Sequence, residues 1–136
     1  MPRPRLSVVL VVHGEQAHLD EIASSALHAD VELVVVDDAS PDHGPELLDA
    51  LAARDDRVRV HHLAERVGLG EARNLGLELA RGEHVWFVNA SDVVAPQGVL
   101  ERLEETSPDV LLLGDRIEDA LGRSRPGPHA ALIKRL

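Results

Sequence analysis

Two adjacent carboxylates, Asp37 and Asp38, end the apolar run Val31-Glu32-Leu33-Val34-Val35-Val36 and precede the turn residues Ala39-Ser40-Pro41. A second oxygen-rich group, Asn89-Ala90-Ser91-Asp92, follows Val85-Trp86-Phe87-Val88. Its three oxygen-bearing side chains, Asn89, Ser91 and Asp92, can meet a hard cation such as Mg2+ or Mn2+, which takes oxygen ligands and shares them with phosphates. The competing reading is that Ser91 or Asp92 caps a turn, and the single carboxylate in the group favours it. Asp37 and Asp38 divide in the same way. Either carboxylate would accept hydrogen bonds from the N–H or hydroxyl groups of a nucleotide, or simply from the turn at Ser40-Pro41.

Gly68-Leu69-Gly70-Glu71-Ala72-Arg73-Asn74-Leu75-Gly76 is a glycine-rich lead into a helix, and a bare helix N-terminus can hold a phosphate. It is not a dinucleotide fingerprint, because Arg73 stands where the third glycine belongs and the segment follows the third strand rather than the first. It also lacks the Gly-Lys-Ser/Thr ending of a Walker A loop. Arg73, read as part of the first helical turn, opposes the helix dipole and so calls for an anion or a carboxylate partner. The eight histidines outline no site. His61 and His62 are neighbours on a strand and point to opposite faces, and no Ser-His-Asp constellation can be assembled.

These residues sit at the ends of regularly spaced elements. Leu6 to Val12 forms a first strand ending at His13-Gly14, and Leu19, Ile22, Ala23, Ala26 and Leu27 follow at helical spacing. Strand two is Val31 to Asp37, a short β-branched run covered on both faces. Pro45 opens helix two, and Val58 to Leu63 is a third strand. Helix three buries Ala72, Leu75, Gly76 and Leu79, with Gly82 as its C′ glycine. Val85 to Val88 is strand four, Pro96 opens helix four, and Asp109 to Gly114 is a fifth strand. Alternating strands and helices with short connections specify an α/β fold, a Rossmann-like three-layer α/β/α sandwich with a mostly parallel sheet. In such sheets ligands bind beyond the carboxyl ends of the strands, where Asp37 and Asp38 lie. Beyond Gly114 the pattern decays. Gly122 to Pro128 reads as a linker, and Ala130 to Leu136 as one short helix or a lone strand.

A chain of 136 residues is one domain's worth. The net charge of −10, with one Trp, one Phe and no basic run, speaks against nucleic acid as a partner. The absence of cysteine removes disulfides, thiol nucleophiles and cysteine metal sites. Arg3 and Arg5 before Leu6 to Val12 have the outline of a signal peptide, but the apolar run is short and no small-residue cleavage site follows it. No stretch approaches the ~20 apolar residues of a membrane span. A soluble, cytoplasmic protein is expected, with any peripheral membrane association left to sequence outside this chain.

Four blocks in register resemble the amino-terminal, donor-binding half of family-2 glycosyltransferases of the A-type nucleotide-sugar fold. They are Leu6 to Glu15, Glu32 to Ser40, Gly68 to Gly76 and Arg81 to Asp92, and the similarity covers about residues 6 to 115. It extends to the glycosyltransferase-like segments fused to teichoic-acid glycerophosphotransferases. The resemblance implies transfer of a sugar from a nucleoside diphosphate donor to an acceptor hydroxyl with a divalent cation, Mn2+ or Mg2+, in cell-envelope polysaccharide synthesis. It implies a nucleotide site in which Val12, His13 and Glu15 border the base and Asp38 hydrogen-bonds it. Arg73 would lie near the base or diphosphate, Gly70 at the phosphate-facing helix start, and Asn89 near the ribose. The family's Asp-x-Asp-Asp falls on Asn89-Ala90-Ser91-Asp92, so only Asp92 keeps its carboxylate and metal affinity should fall. Val11, His13 and Gly14 also replace the family's usual residues.

On this reading residues 1–115 form the nucleotide-sugar-binding domain, and 116–136 a linker and tail of a truncated acceptor half. Glu118 and Asp119 come too early to be the general base, so no catalytic residue can be nominated. Two further readings stand beside the transferase. One is a catalytically degenerate nucleotide-binding or interaction module of a larger protein. The other is a homodimer formed through an open edge at Val85 to Val88, an edge that residues 129 to 136 would otherwise cover.

Overall fold

Uninterrupted aliphatic runs bury both faces only at the centre of a sheet, and the chain places them there. The computed structural model describes residues 3–14, 19–88, 96–106, 110–118 and 124–135. The elements are β1 (Leu6–Val12), α1 (Leu19–Ala26), β2 (Val31–Asp37), α2 (Gly44–Arg54), β3 (Val58–His62), α3 (Leu69–Leu79), β4 (His84–Val88), α4 (Pro96–Thr106), β5 (Val110–Glu118) and β6 (Ser124–Arg135). They build one six-stranded sheet in the order β3-β2-β1-β4-β6-β5. The first four strands of that order are parallel, and β6 runs antiparallel to both neighbours. This is the expected three-layer architecture.

Register brings the strand ends level. Val12 pairs with Asp37, Asp37 with His62, and Leu10 with Val88, so the carboxyl edge carries His62, Asp37 and Val12 side by side. The chain proceeds from β1 outward through β2 and β3, then returns to the far side of β1 with β4. The switch point is therefore the crevice between β1 and β4.

Alternate residues of each strand face opposite layers. Leu6, Val8, Leu10 and Val12 join Leu33, Val35, Val58 and Trp86 in a core closed by Leu19 and Ala23 of α1, Leu48 and Leu51 of α2, and Val99, Leu100 and Leu103 of α4. On the other face Val9, Val34 and Val85 pack with Leu79 and Phe87, and α3 lies over β1 and β2. This contact needs Gly76, since a Cβ there would run into the Val9 side chain. Gly82 is a correction to the sequence reading. Helix α3 ends at Ala80 in an extended conformation, and Gly82 has no left-handed φ. Its hydrogen atom matters because a Cβ would collide with Ser7.

The same face carries a polar cluster at the amino edge of the sheet. Ser7 donates its hydroxyl to Glu32 Oε1 (2.7 Å) and accepts the Gly82 N–H (2.8 Å), while Glu32 accepts the Arg81 N–H (2.6 Å). Arg59 donates to both Glu32 oxygens at 3.3 Å and to the Leu79 carbonyl. The buried charge is thus paired and hydrogen-bonded, as burial demands.

The carboxyl-terminal segment differs from the linker reading. Ser124 to Arg135 is a strand whose last residues pair with β4 (Trp86 with Ile133, His84 with Arg135) and which pairs with β5 from Ser124 to Lys134 across one register shift. Pro126 and Pro128 sit where β6 has only β5 beside it, the side-specific tolerance that proline has in strands. Residues 133 to 135 of β6 thus pair with His84, Val85 and Trp86 of β4, the intramolecular alternative to a second copy along that part of the edge. Among the described residues no helix is long and apolar enough to cross a membrane.

Candidate functional site

Beyond the carboxyl ends of β1 and β2 lies a recess of about 160 Å3 lined by Val11, His13, Asp38, Arg66 and Leu69. The contributions come from the carboxyl-terminal ends of strands and from the loops that follow them, up to the first residue of α3. Strand β1 supplies Val11 and His13, β2 runs into Asp38, and the β3–α3 loop brings Arg66 and the first residue of α3, Leu69.

Asp38 is 2% exposed and its carboxylate is spoken for by main chain. Oδ1 accepts the Val67 N–H at 2.7 Å and Oδ2 the Gly68 N–H at 3.0 Å. Two successive amides on one carboxylate are a clamp that holds the β3–α3 loop against the end of β2. The backbone of Asp38 is equally fixed. Its N–H donates to the Val12 carbonyl (2.9 Å), and its carbonyl accepts from His13 Nδ1 (2.8 Å), so Nδ1 carries the proton. The next residue, Ala39, turns the chain with a φ of 56°, in the left-handed region. Asp38 retains lone pairs facing the recess, but its first task is to position the loop that bears Arg66. Arg66 is exposed and has no hydrogen-bond or ion-pair partner among the described residues. Leu69 is half exposed and gives the recess an apolar wall.

Asp37 performs the turn-capping role. Its Oδ1 accepts the Ser40 N–H at 2.9 Å, and Ser40 Oγ accepts the Gly14 N–H at 3.1 Å, which ties the β1 and β2 loops together. The other oxygen, Oδ2, lies 2.7 Å from His62 Nδ1, while His62 Nε2 lies 2.7 Å from Asp49 Oδ1 on α2. Burial pushes the Asp37 carboxyl up, but hydrogen bonds from Ser40 and His62 and the imidazolium charge outweigh it and hold the group below its ordinary value. His62 is raised above its ordinary value, chiefly by the hydrogen bond to Asp49 and, against the opposing effect of burial, by Asp37.

The remaining residues singled out from sequence fall as follows. The Val12 side chain is buried in the core with α1 and α2, and its carbonyl accepts the Asp38 N–H. The side chain at the recess is that of its neighbour, Val11. Gly70 is the second residue of α3, and a Cβ there would meet open space. Arg73 is the fifth residue of α3, beyond the first turn, and its guanidinium lies over the Phe87 ring at 5.6 Å from the centroid, on the β4 side of the crevice. Glu15, Asn89, Ser91 and Asp92 lie outside the described residues. Among the described residues no group of three or more His, Asp or Glu side chains is arranged to hold a metal ion. With one carboxylate, Asn89-Ala90-Ser91-Asp92 carries fewer anionic donors than a dedicated cation site. Sequence reasoning passed over Arg66, Val11 and the His62 bridge. Arg66 carries a sequence signal all the same, as a cation two residues before the glycine that opens α3 at a ligand-binding edge.

Relatives share this frame. Over 113 residues the chain is 30% identical to the glycosyltransferase GlyG of Streptococcus pneumoniae serotype 4, an alignment covering 79% of this chain and 38% of that one. It is 31% identical over 93 residues to the putative teichuronic acid biosynthesis glycosyltransferase TuaG of Bacillus subtilis, covering 66% of this chain and 37% of the relative. Among solved structures, S. aureus TarS 1–349 in complex with UDP-GlcNAc superposes with a TM-score of 0.73 at 26% identity, over 90% of this chain and 37% of that one. The mannosyltransferase PcManGT from Pyrobaculum calidifontis, in complex with GDP-Man and Mn2+, gives a TM-score of 0.66 at 25% identity, over 88% and 37%. The chain thus spans less than two fifths of the length of these relatives. The family model for glycosyl transferase family 2 matches residues 7–128, from the first strand into β6, and with the parallel sheet and the recess at its carboxyl edge this places the chain in that family.

Proposed function

We propose that this chain is the donor-binding part of a glycosyltransferase that takes a nucleoside diphosphate sugar and transfers the sugar to an acceptor hydroxyl in cell-envelope polysaccharide synthesis. The observation that carries the reading is the recess lined by Val11, His13, Asp38, Arg66 and Leu69 at the carboxyl edge of the sheet. Its apolar walls suit a planar base, and Arg66, His13 and the residual lone pairs of Asp38 supply donors and acceptors for the base edge. From there a diphosphate would run along the switch-point crevice toward β4, where Arg73 stands over Phe87. Glu15 and Asn89 belong to the same proposed site through the family pattern, as do Gly70 and the main chain of Val12. Residues 1–115 would carry this function and the remainder would lead into the acceptor half. The relatives' names support the reading in kind: UDP-GlcNAc and GDP-Man are bound by the two structural neighbours, and TuaG is named for teichuronic acid.

Ser91, in place of a metal-binding Asp, favours a second reading, a nucleotide-binding module that leaves the chemistry to another domain. Isothermal titration with UDP, GDP and CDP, with and without Mn2+, tests both. Nucleotide binding that tightens with Mn2+ supports the transferase. Binding indifferent to Mn2+ supports the module, and no binding of any of the three refutes a nucleotide site.

A further inference from the structure

Five loop and strand-end residues form the recess, but a sixth residue, outside it, holds their loops in place. His62 lies between two carboxylates, with Nδ1 2.7 Å from Asp37 Oδ2 and Nε2 2.7 Å from Asp49 Oδ1. Asp37 is the junction. Its carboxylate accepts from Ser40, Ser40 accepts from Gly14 beside His13, and the Asp37 carbonyl accepts the Leu63 N–H (2.9 Å) where the Arg66 loop begins. We propose that His62 is a positioning residue for nucleotide-sugar binding, bracing through Asp37 the three loops that border the recess, with a strength set by whether the imidazole is charged. The proposal rests on the nucleotide reading above.

The geometry requires the charged ring. An imidazolium has two N–H donors, one for each carboxylate, whereas a neutral imidazole has one. Deprotonation leaves a bare ring nitrogen facing carboxylate lone pairs at 2.7 Å, so one of the two contacts must open. Whichever opens, Asp37 loses its donor or the cation beside it. The Asp37 side chain is 3% exposed and cannot turn to water for replacement, unlike Asp49 at 66%. The groups facing His62 are Asp37 from β2 and Asp49 from α2. Glu46, one turn earlier on α2, is paired with His43 at 3.1 Å, and Arg59 and His61 of β3 belong to the opposite face of the strand. His13 is a second imidazole at the recess itself, so the test must separate the two.

The test is the affinity for UDP-GlcNAc and for GDP-mannose, by isothermal titration, from about pH 5.5 to about pH 8.5, the range over which imidazoles discharge. Intact nucleotide sugars are used because a terminal phosphate would itself titrate near pH ~6. Affinity is expected to weaken about fivefold as the pH rises, the lower end of ordinary coupling strengths. In His62→Gln, which cannot carry the charge, that step disappears. In Asp49→Asn, a substitution at an exposed side chain, the step persists but moves to lower pH because the main partner raising His62 is gone. A purely structural His62 would lower affinity in the variant without altering the pH profile. A flat profile in the native chain, an unchanged step in His62→Gln, or an unmoved midpoint in Asp49→Asn overturns the role given to His62 and leaves the nucleotide site standing. Failure of both nucleotide sugars to bind at every pH overturns the nucleotide site and the proposal together.

Discussion

Asp38→Asn separates a carboxylate that reads a base from one that holds a loop. In the native chain each oxygen accepts one main-chain N–H, from Val67 at 2.7 Å and from Gly68 at 3.0 Å, at a residue 2% exposed. An asparagine keeps one acceptor and turns an NH2 toward the other amide. One hydrogen bond is therefore lost, the second is weakened to a neutral one, and a buried N–H is left facing a donor. Hydrogen bonds to a charged group contribute ~1.5–3 kcal/mol, and an unsatisfied buried donor costs ~1–3 kcal/mol. Allowing for relaxation of the β3–α3 loop toward solvent, the expected loss is about 2–3 kcal/mol. For a domain of this size that lowers the Tm by about 6–12 °C. Urea unfolding followed by far-UV circular dichroism measures the first number, and titration with UDP and GDP on the still-folded variant measures affinity. The clamp predicts that stability and affinity fall together, the latter because Arg66 and Leu69 are no longer held at the recess. A variant with native stability and abolished nucleotide binding would refute the clamp and make Asp38 a ligand contact alone.

Three further outcomes follow from the same contacts. Stability should peak in mildly acidic solution. The depressed Asp37 contributes stabilisation present above its unfolded value of 3.8 and lost as pH falls through its lower folded value. The raised His62 contributes stabilisation fully present below its unfolded value of 6.5 and lost as pH rises through its higher folded value. Chemical denaturation across that range should show a decline on the alkaline side that His62→Gln removes, and an alkaline slope identical in the two chains would contradict it. Gly76→Ala places a methyl against Val9 and should cost ~1–3 kcal/mol by overpacking, whereas Gly98→Ala in α4, with nothing within 4 Å of the added Cβ, should gain ~0.5–1 kcal/mol in urea unfolding. Glu32→Ala strips partners from Ser7, Arg59 and the Arg81 amide and should cost ~2–4 kcal/mol, with Arg59→Met in the same background recovering part of it if the loss is an uncompensated guanidinium.

What could be read from the chain, and what could not, divides along local and distant interactions. The strands and helices were legible because aliphatic runs, Pro45 at the start of α2 and the stripe of α3 are local signals, and the parallel order followed from their alternation. The turn-capping role of Asp37 toward Ser40 is likewise a contact three residues away. The second carboxylate is different. Asp38 meets Val67 and Gly68 across 29 and 30 residues, and His62 meets Asp37 across 25, so only the register of β2 with β3 creates those contacts. Val11 and Val12 show the limit of periodicity. In β1 nearly every residue is buried, so the pattern does not alternate and cannot say which of two valines faces the site. At the other end, Pro126, Gly127 and Pro128 read as a linker because their local preference is for turns, while β4 needed an edge partner and recruited residues 133 to 135 of that segment.

The two carboxylates therefore answer to different constraints even though they are adjacent. A strand residue's side chains alternate, so Asp37 must point toward the layer that holds α2, where His62 and Asp49 wait, and Asp38 must point away from it, toward the loop that precedes α3. The pair thus ties the β3–α3 connection to one side of the sheet and the β2–α2 connection to the other, with the recess between them. Placing the base-side wall of a ligand site on residues whose first duty is to fasten its loops gives a pre-formed cavity, and pre-formed cavities bind without the cost of ordering those loops. It also means that substitutions at either carboxylate will change affinity through shape before they change it through contact. A loss of binding in Asp37 or Asp38 variants then identifies a ligand contact only where loop order, measured by hydrogen exchange at Ser40, Leu63, Val67 and Gly68, is preserved.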